Sequence, residues 1–221
     1  STETDPDTGE QGTATTTGTM QVSVDPDADA PTLNVSDASG AEDTAIPLTI
    51  SSELTDTDGS ETLSLTISGV PEGATLSAGT YDEETGDWTL TPDQLEGLTV
   101  TPAADSDEDF QLTVTATTTD GTDTATVSET LDVTVDAVAD APTLTVDGDV
   151  EGVEDGGPIA LDIASALTDT DGSETLSVTI SDIPPGATLT LANGISFTAT
   201  EGNTSVDLPP SQLAGLTVTP P

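Results

Sequence analysis

Acidic side chains recur one residue apart along this sequence, and carboxylates at that spacing suit one kind of chemistry, the gripping of a hard cation. The groups are Asp25, Asp27 and Asp29; Glu42-Asp43; Asp56, Asp58 and Glu61; and Asp105, Asp107, Glu108 and Asp109. Matching sets follow at Asp136 and Asp140, Glu154-Asp155, and Asp169, Asp171 and Glu174. A hard divalent cation takes about six to eight oxygens, and Asp-x-Asp lets two carboxylates reach one ion while backbone carbonyls supply others. Like charges crowded into one loop are costly unless a cation lies among them. A salt-adapted, merely solvated acidic surface is the alternative, and it predicts Asp and Glu at the outward strand positions. Those positions hold mostly Thr and Ser, as in LSLTIS, FQLTVTATTT and TATVSET. The loop is not an EF-hand: counted from Asp56, the sixth and twelfth positions hold Glu61 and Ile67, where Gly and Glu are required.

The overall charge narrows the partners. The chain has 43 acidic residues and no Lys, Arg or His, for a net charge of −43 over 221 residues. No side chain can neutralise a phosphate, so nucleic acid and anionic membrane are set aside. Self-repulsion of this size calls for offset by salt or multivalent cations. With no cysteine there is no disulfide or thiolate chemistry. No apolar run reaches the roughly 18 residues of a membrane span. Ser1 does not open a signal peptide, and the chain reads as an interior piece of something longer. Carboxylate pairs such as Asp105/Asp107 have a precedent in glycoside hydrolysis. Without His, Lys, Arg or Cys and with 2% aromatics, no catalytic pocket is expected and the protein is read as a non-enzyme.

These acidic groups sit on a repeat. LTDTDGSETLS occurs as Leu54–Ser64 and again as Leu167–Ser177, 113 residues later. Ala28–Leu33 returns as Ala139–Leu144 at an offset of 111, and Gln94–Pro102 as Gln212–Pro220 at 118. A slowly growing offset means insertions in connections between fixed core segments, as in homologous tandem domains. Met20–Val24 aligns with Leu131–Val135. The expected layout is therefore residues 1–27 as terminal strands of a preceding repeat, 28–138 as a complete repeat, and 139–221 as a second repeat lacking its last strands. A window cut from a longer array explains the ends, as does completion by a strand from a neighbouring molecule.

The elements that must carry the acidic loops are strands. Thr62–Ser68, Thr175–Ser181, Phe110–Ala116 and Leu131–Val135 alternate apolar and hydroxyl residues with period two, the pattern of half-buried antiparallel strands. Turn clusters recur about every ten residues, and a unit of about 110 residues suits a sandwich. Only Asp93–Gly97 suggests a helical turn. The expected fold is all-β, tandem antiparallel sandwiches.

The order of these features resembles a known arrangement. A strand ending at Val24 runs into Asp25-Pro-Asp-Ala-Asp-Ala-Pro31; then come Glu42-Asp43, Leu54-Thr-Asp-Thr-Asp-Gly59 and an acidic cluster before Phe110-Gln-Leu-Thr-Val114. This resembles cadherin repeats, and more closely the extender repeats of giant bacterial adhesins of the RTX, biofilm-forming type. The resemblance covers about residues 20–221. It implies Ig-like, cadherin-like Greek-key sandwiches joined end to end as a rod, with Ca2+ between successive domains. By position, Asp25, Asp27, Asp29, Asp56 and Asp58 would serve a first junction. Asp136, Asp140, Asp169 and Asp171 would serve a second, closed by Glu42 and by Asp105 or Asp107; Glu154 would serve a third. Ala28, Ala139 and Val138 stand where the cadherin linker has ligands, which departs from its count of ions. The implied role is a calcium-rigidified stalk at the cell surface, outside the cell, holding a distal ligand-binding module, with neighbouring repeats of the same chain as its partners. A glycan- or partner-binding module, or a filament completed by strand exchange, is the alternative.

Smaller features have bland readings beside sharp ones. Trp88 and Tyr81 suit sugar stacking or plain hairpin packing. Asn34-Val-Ser36 and Asn203-Thr-Ser205 match the glycosylation sequon.

Overall fold

A computed structural model describes residues 1–153 and 156–221, so Glu154 lies outside the described residues. Two short strands, β1 (Thr2–Thr4) and β2 (Gln11–Thr13), pair as a separate hairpin. The strand expected at Met20–Val24 does not form, and Met20, Val22 and Val24 are exposed. Alternation marks a face, but a strand needs a partner for its N–H and C=O groups, and this segment has no ladder partner among the described residues.

The first repeat comprises β3 (Thr32–Ser36), β4 (Ala38–Ala41), β5 (Ile46–Pro47), β6 (Thr49–Glu53), β7 (Glu61–Ser68) and β8 (Thr75–Leu76). It continues with β9 (Thr80–Asp82), β10 (Asp87–Leu90), β11 (Thr99–Thr101), β12 (Phe110–Asp120) and β13 (Asp123–Asp136). One sheet runs β4-β13-β12-β7-β10-β9. The opposing layer pairs β3 with β6 and orders β5-β11-β8, with only Leu48 separating β5 from β6. The orders β13-β12-β7 and β3-β6/β5-β11-β8 match the two sheets of an immunoglobulin-type sandwich, to which β4 and the β9–β10 hairpin between β8 and β11 are added at the edges of the first. The β4–β13 pair is parallel, a departure from the all-antiparallel expectation. β12 and β13 form a long hairpin from Phe110↔Val133 to Asp120↔Asp123, closed by a two-residue turn with Gly121 in the left-handed region (φ 58°).

Period-two patterning fills the space between the layers. Leu65, Ile67, Leu112, Val114, Leu131 and Val133 point in from the large sheet, and Ile46, Ile50, Leu76 and Val100 from the other. The helical turn is a 3-10 turn at Pro92–Gln94, whose capping box joins Thr91 and Gln94.

The second repeat contains β14 (Thr143–Val146), β15 (Ile159–Ala160), β16 (Ile163–Ala166), β17 (Val178–Ile180), β18 (Thr188–Thr190), β19 (Ser196–Thr198), β20 (Val206–Leu208) and β21 (Thr217–Thr219). The pairs β14–β16, β15–β21, β18–β21 and β17–β20 repeat those of the first unit, around a separate core built on Leu189, Leu208, Leu213 and Leu216. The expected strand Thr175–Ser181 shrinks to Val178–Ile180. β7 is flanked along its length by β12, whereas among the described residues β17 pairs with β20 alone. For the same reason Leu144 and Val146 are exposed, while their counterparts Leu33 and Val35 pack on the first core.

Candidate metal centre

Local turn chemistry builds each half of the acidic motif. In the first copy the Asp58 N–H donates to Asp56 Oδ1 (2.9 Å) and the Ser60 N–H to Asp58 Oδ1 (2.8 Å). Gly59 follows with φ 97°, which a side chain would oppose. In the second copy the Asp171 N–H donates to Asp169 Oδ1 (2.8 Å) and the Ser173 N–H to Asp171 Oδ1 (2.7 Å), with Gly172 at φ 104°. Part of the verbatim repetition is thus plain turn design.

The two copies differ in what surrounds them. Asp169 is 1% exposed, whereas its counterpart Asp56 is only half-buried. The difference lies in the neighbours: Glu42 of the first repeat stands beside Asp169 and Asp171 of the second, with one carboxylate oxygen from each mutually within 4.8 Å. A second group, Asp43, Asp105 and Asp140, meets the same limit. Glu42, Asp43 and Asp105 come from the first repeat, Asp140 from the linker, and Asp169 and Asp171 from the second repeat. Among the described residues no comparable group gathers Asp25, Asp27 and Asp29 with Asp56 and Asp58. Asp136 offers its backbone instead of its exposed side chain, its carbonyl accepting the Glu42 N–H at 3.0 Å.

Glu42 is the centre of this arrangement. It is 3% exposed; Oε1 accepts the Val138 N–H at 2.6 Å, while Oε2 is buried with no partner among the described residues. The Val138 bond favours the ionised form, but burial and the charges of Asp169, Asp171 and Asp43 outweigh it and hold the carboxyl above its ordinary value. Burial raises Asp105 as well, with Asp43, Asp169, Asp140 and Asp171 adding to it. Asp171 goes the other way, lowered by the Ser173 N–H and hydroxyl and, less, by Asp107. Asp58 is lowered likewise by Ser60. Asp43 and Asp105 both lie in the left-handed region (φ 55° and 54°), which Asp tolerates better than most residues, and the Asp105 N–H donates to Asp43 Oδ1 at 3.0 Å.

Sequence reasoning left three residues out of the assigned site. Asp43 joins the second group. Glu61 and Glu174, at equivalent positions, accept the backbone N–H of Asp29 (2.7 Å) and of Asp140 respectively, and so fasten each Asp-Ala-Pro linker to the repeat that follows it. Both leave Oε2 buried and unpaired. The verbatim SET of each motif was the available signal.

Chemically, the junction is an all-oxygen site. Oxygens on one calcium ion lie at most about 5 Å apart, so both groups are spaced to share a hard cation, and neither offers the nitrogen or sulfur that softer metals favour. The pKa directions set a pH dependence for the metal-free protein. Glu42 and Asp105, raised in the folded state, contribute stability at low pH that is lost as pH rises from the ordinary carboxylate value through their folded values. The lowered Asp58 and Asp171 contribute above the ordinary value and lose it only as pH falls below. Melting in EDTA should therefore be higher at about pH 5 than at about pH 8, close to but above ordinary carboxylate values. Melting curves across that range check this, and a fall on acidification would contradict it.

Fold and site together define an all-β, sandwich-like chain with two hydrophobic cores and acidic groups drawn from both of its sequence repeats. No protein-family model matches the chain, and no curated protein does. Among solved structures it is similar to the Streptococcus agalactiae AgI/II polypeptide BspA C-terminal domain, at 11% identity over 85% of this chain and 87% of that one, with a TM-score of 0.25. A likeness at that score carries no argument about fold or role. Among the described residues no helix is long and apolar enough to cross a membrane.

Proposed function

We propose that this chain is an extender segment of an extracellular, cell-surface adhesin whose successive sandwiches are locked together by calcium at their junctions. Its partners are neighbouring repeats of the same chain, and its task is to hold a distal ligand-binding module away from the cell. The carrying observation is the meeting of Glu42, one oxygen buried and unpaired, with Asp169 and Asp171 of the next repeat. The adhesin reading rests on the resemblance of the ordered motifs to extender repeats.

Calcium, when bound, supplies the positive charge that this junction lacks. Glu42, Asp169 and Asp171 would hold one ion, and Asp43, Asp105 and Asp140 a second. The chain's own part is to keep these oxygens in place. The Val138 N–H holds Glu42 against the linker, Ser173 holds Asp171 in its turn, and Glu174 fixes the backbone of Asp140. Without a cation the same carboxylates repel across the junction and leave the linker free to bend. An ion bound only by the assembled junction adds about 4 kcal/mol at a thousandfold excess over its dissociation constant.

Thermal unfolding and solution scattering in EDTA, in calcium, in magnesium and in molar NaCl test the reading. Calcium is expected to raise the melting temperature well beyond magnesium or NaCl and to lengthen the scattering profile. Equal stabilisation by NaCl alone would make the acid a salt adaptation and overturn the clamp.

A further inference from the structure

The first repeat carries a recess of about 600 Å³ whose walls include Pro71, Glu72, Ala74, Tyr81 and Trp88, and none of the junction's acidic residues lines it. It holds the chain's one Trp and one Tyr. Their rings adjoin at 5.4 Å between centroids and are tilted by 45°, so they form two faces of an angled wall. Trp88 is braced against the core, while Tyr81 is half exposed at the rim. The two rings are brought together by the β9–β10 register, in which Trp88 pairs with Tyr81. The hairpin that joins them, Asp82-Glu83-Glu84-Thr85-Gly86-Asp87, adds four carboxylates to that of Glu72.

The second repeat supplies an internal comparison. Its matching turn, Ser181-Asp-Ile-Pro-Pro-Gly-Ala187, keeps the backbone of Ser68-Gly-Val-Pro-Glu-Gly-Ala74: Gly69 and Asp182, and Gly73 and Gly186, all have positive φ. Yet Glu72 is replaced by Pro185, and Trp88 by Val206 on the offset of 118 that carries Gln94 to Gln212. β19 there pairs with β18, not with β20. The second repeat keeps the turn but has neither the aromatic wall nor the carboxylate, so the recess is a feature of the first repeat.

We infer that this recess binds a trimethylammonium group carried by a small soluble molecule. Aromatic faces attract cations through their quadrupole, and the carboxylates concentrate positive charge around the opening. The chain has no cationic side chain to satisfy that attraction. A primary ammonium or guanidinium brings three to five N–H donors that need acceptors. Glu72 is the only carboxylate in the wall, which is otherwise mainly Pro, Val, Ala and aromatic carbon. A methylated cation has no N–H to satisfy and places methyl groups on those surfaces. The net charge of −43 repels an anionic bilayer, which favours a soluble source.

Because Trp88 is the only tryptophan, its emission reports the recess directly. Titration of the full chain with choline chloride at constant ionic strength should change that emission saturably in the millimolar range. The neutral isostere 3,3-dimethylbutan-1-ol should bind about tenfold more weakly, since it keeps the shape and loses the charge. Broadening of the choline N-methyl proton signal, which needs no tryptophan, should weaken severalfold with Glu72→Gln and vanish with Trp88→Val. Tyr81→Leu, at the half-exposed rim, provides a second aromatic variant should Trp88→Val not fold. The assignment is overturned if choline produces no saturable change. It is equally overturned if the neutral isostere or a neutral sugar binds as well as choline, or if folded Trp88→Val or Tyr81→Leu binds like the parent.

Discussion

Glu42→Gln will raise the melting temperature of the metal-free protein and, in the same variant, sharply weaken calcium binding at the junction. The two effects have opposite signs because one charge has two relationships. In the absence of a cation the Glu42 carboxylate is buried beside Asp169, Asp171 and Asp43, and those neighbours push its pKa up. Glutamine keeps the side-chain length and an oxygen able to accept the Val138 N–H, so the linker contact survives while the repulsion goes. With calcium present the lost charge is a lost ligand. Removing an outer-shell partner of a metal typically costs about 10–100-fold in affinity, and an inner ligand should cost at least as much. Calorimetric titration and melting in EDTA read the two arms separately. Unchanged affinity would remove Glu42 from the metal centre, whatever happened to stability. Asp169→Asn, at the other buried carboxylate of the group, should follow the same pattern.

The fold could be read from the sequence because period-two alternation survives translation into strands wherever both ladder partners are present. Thr62–Ser68 and Phe110–Ala116 become β7 and β12, which lie side by side. Thr175–Ser181 carries the same pattern and forms only a short strand, since a hydrogen-bonded neighbour cannot be inferred from a strand's own residues. The acidic residues show the same division. Spacing identified Asp169 and Asp171 but not the burial of Asp169, beside which stands Glu42 of the preceding repeat, more than a hundred residues away. Their twins Asp56 and Asp58 have the same turn and the same glycine, yet Asp56 is only half-buried where Asp169 is buried. Glu61 and Glu174 were hidden for a different reason: their contacts are with backbone N–H groups of the linker, and a backbone donor leaves no mark in a sequence. Asp43 entered through its left-handed backbone, which brings its side chain to the Asp105 N–H.

Leu112→Ala will remove about 2–5 kcal/mol from the first repeat, the usual cost of truncating a fully buried leucine, out of a total on the order of 5–15 kcal/mol. Leu112 is 0% exposed and pairs with Leu131 near the open end of the β12–β13 ribbon. β12 is also the strand entered directly from the Asp105–Asp109 segment, so the ribbon that fills the core also positions part of the junction. Core and junction are therefore linked, and calcium should raise the urea midpoint of the variant as it raises that of the parent. At a hundredfold excess over the dissociation constant the gain is about 2.7 kcal/mol, enough to offset much of the lesion. Trp88 follows unfolding of the first repeat specifically, since the second repeat has no tryptophan. Adding Glu42→Gln to Leu112→Ala should shrink the calcium-dependent shift while leaving the cost of the cavity in EDTA nearly unchanged, because Leu112 and Glu42 act through different contacts. A calcium shift that survived the second substitution in full would mean that the ion stabilises this repeat from somewhere other than the Glu42 junction.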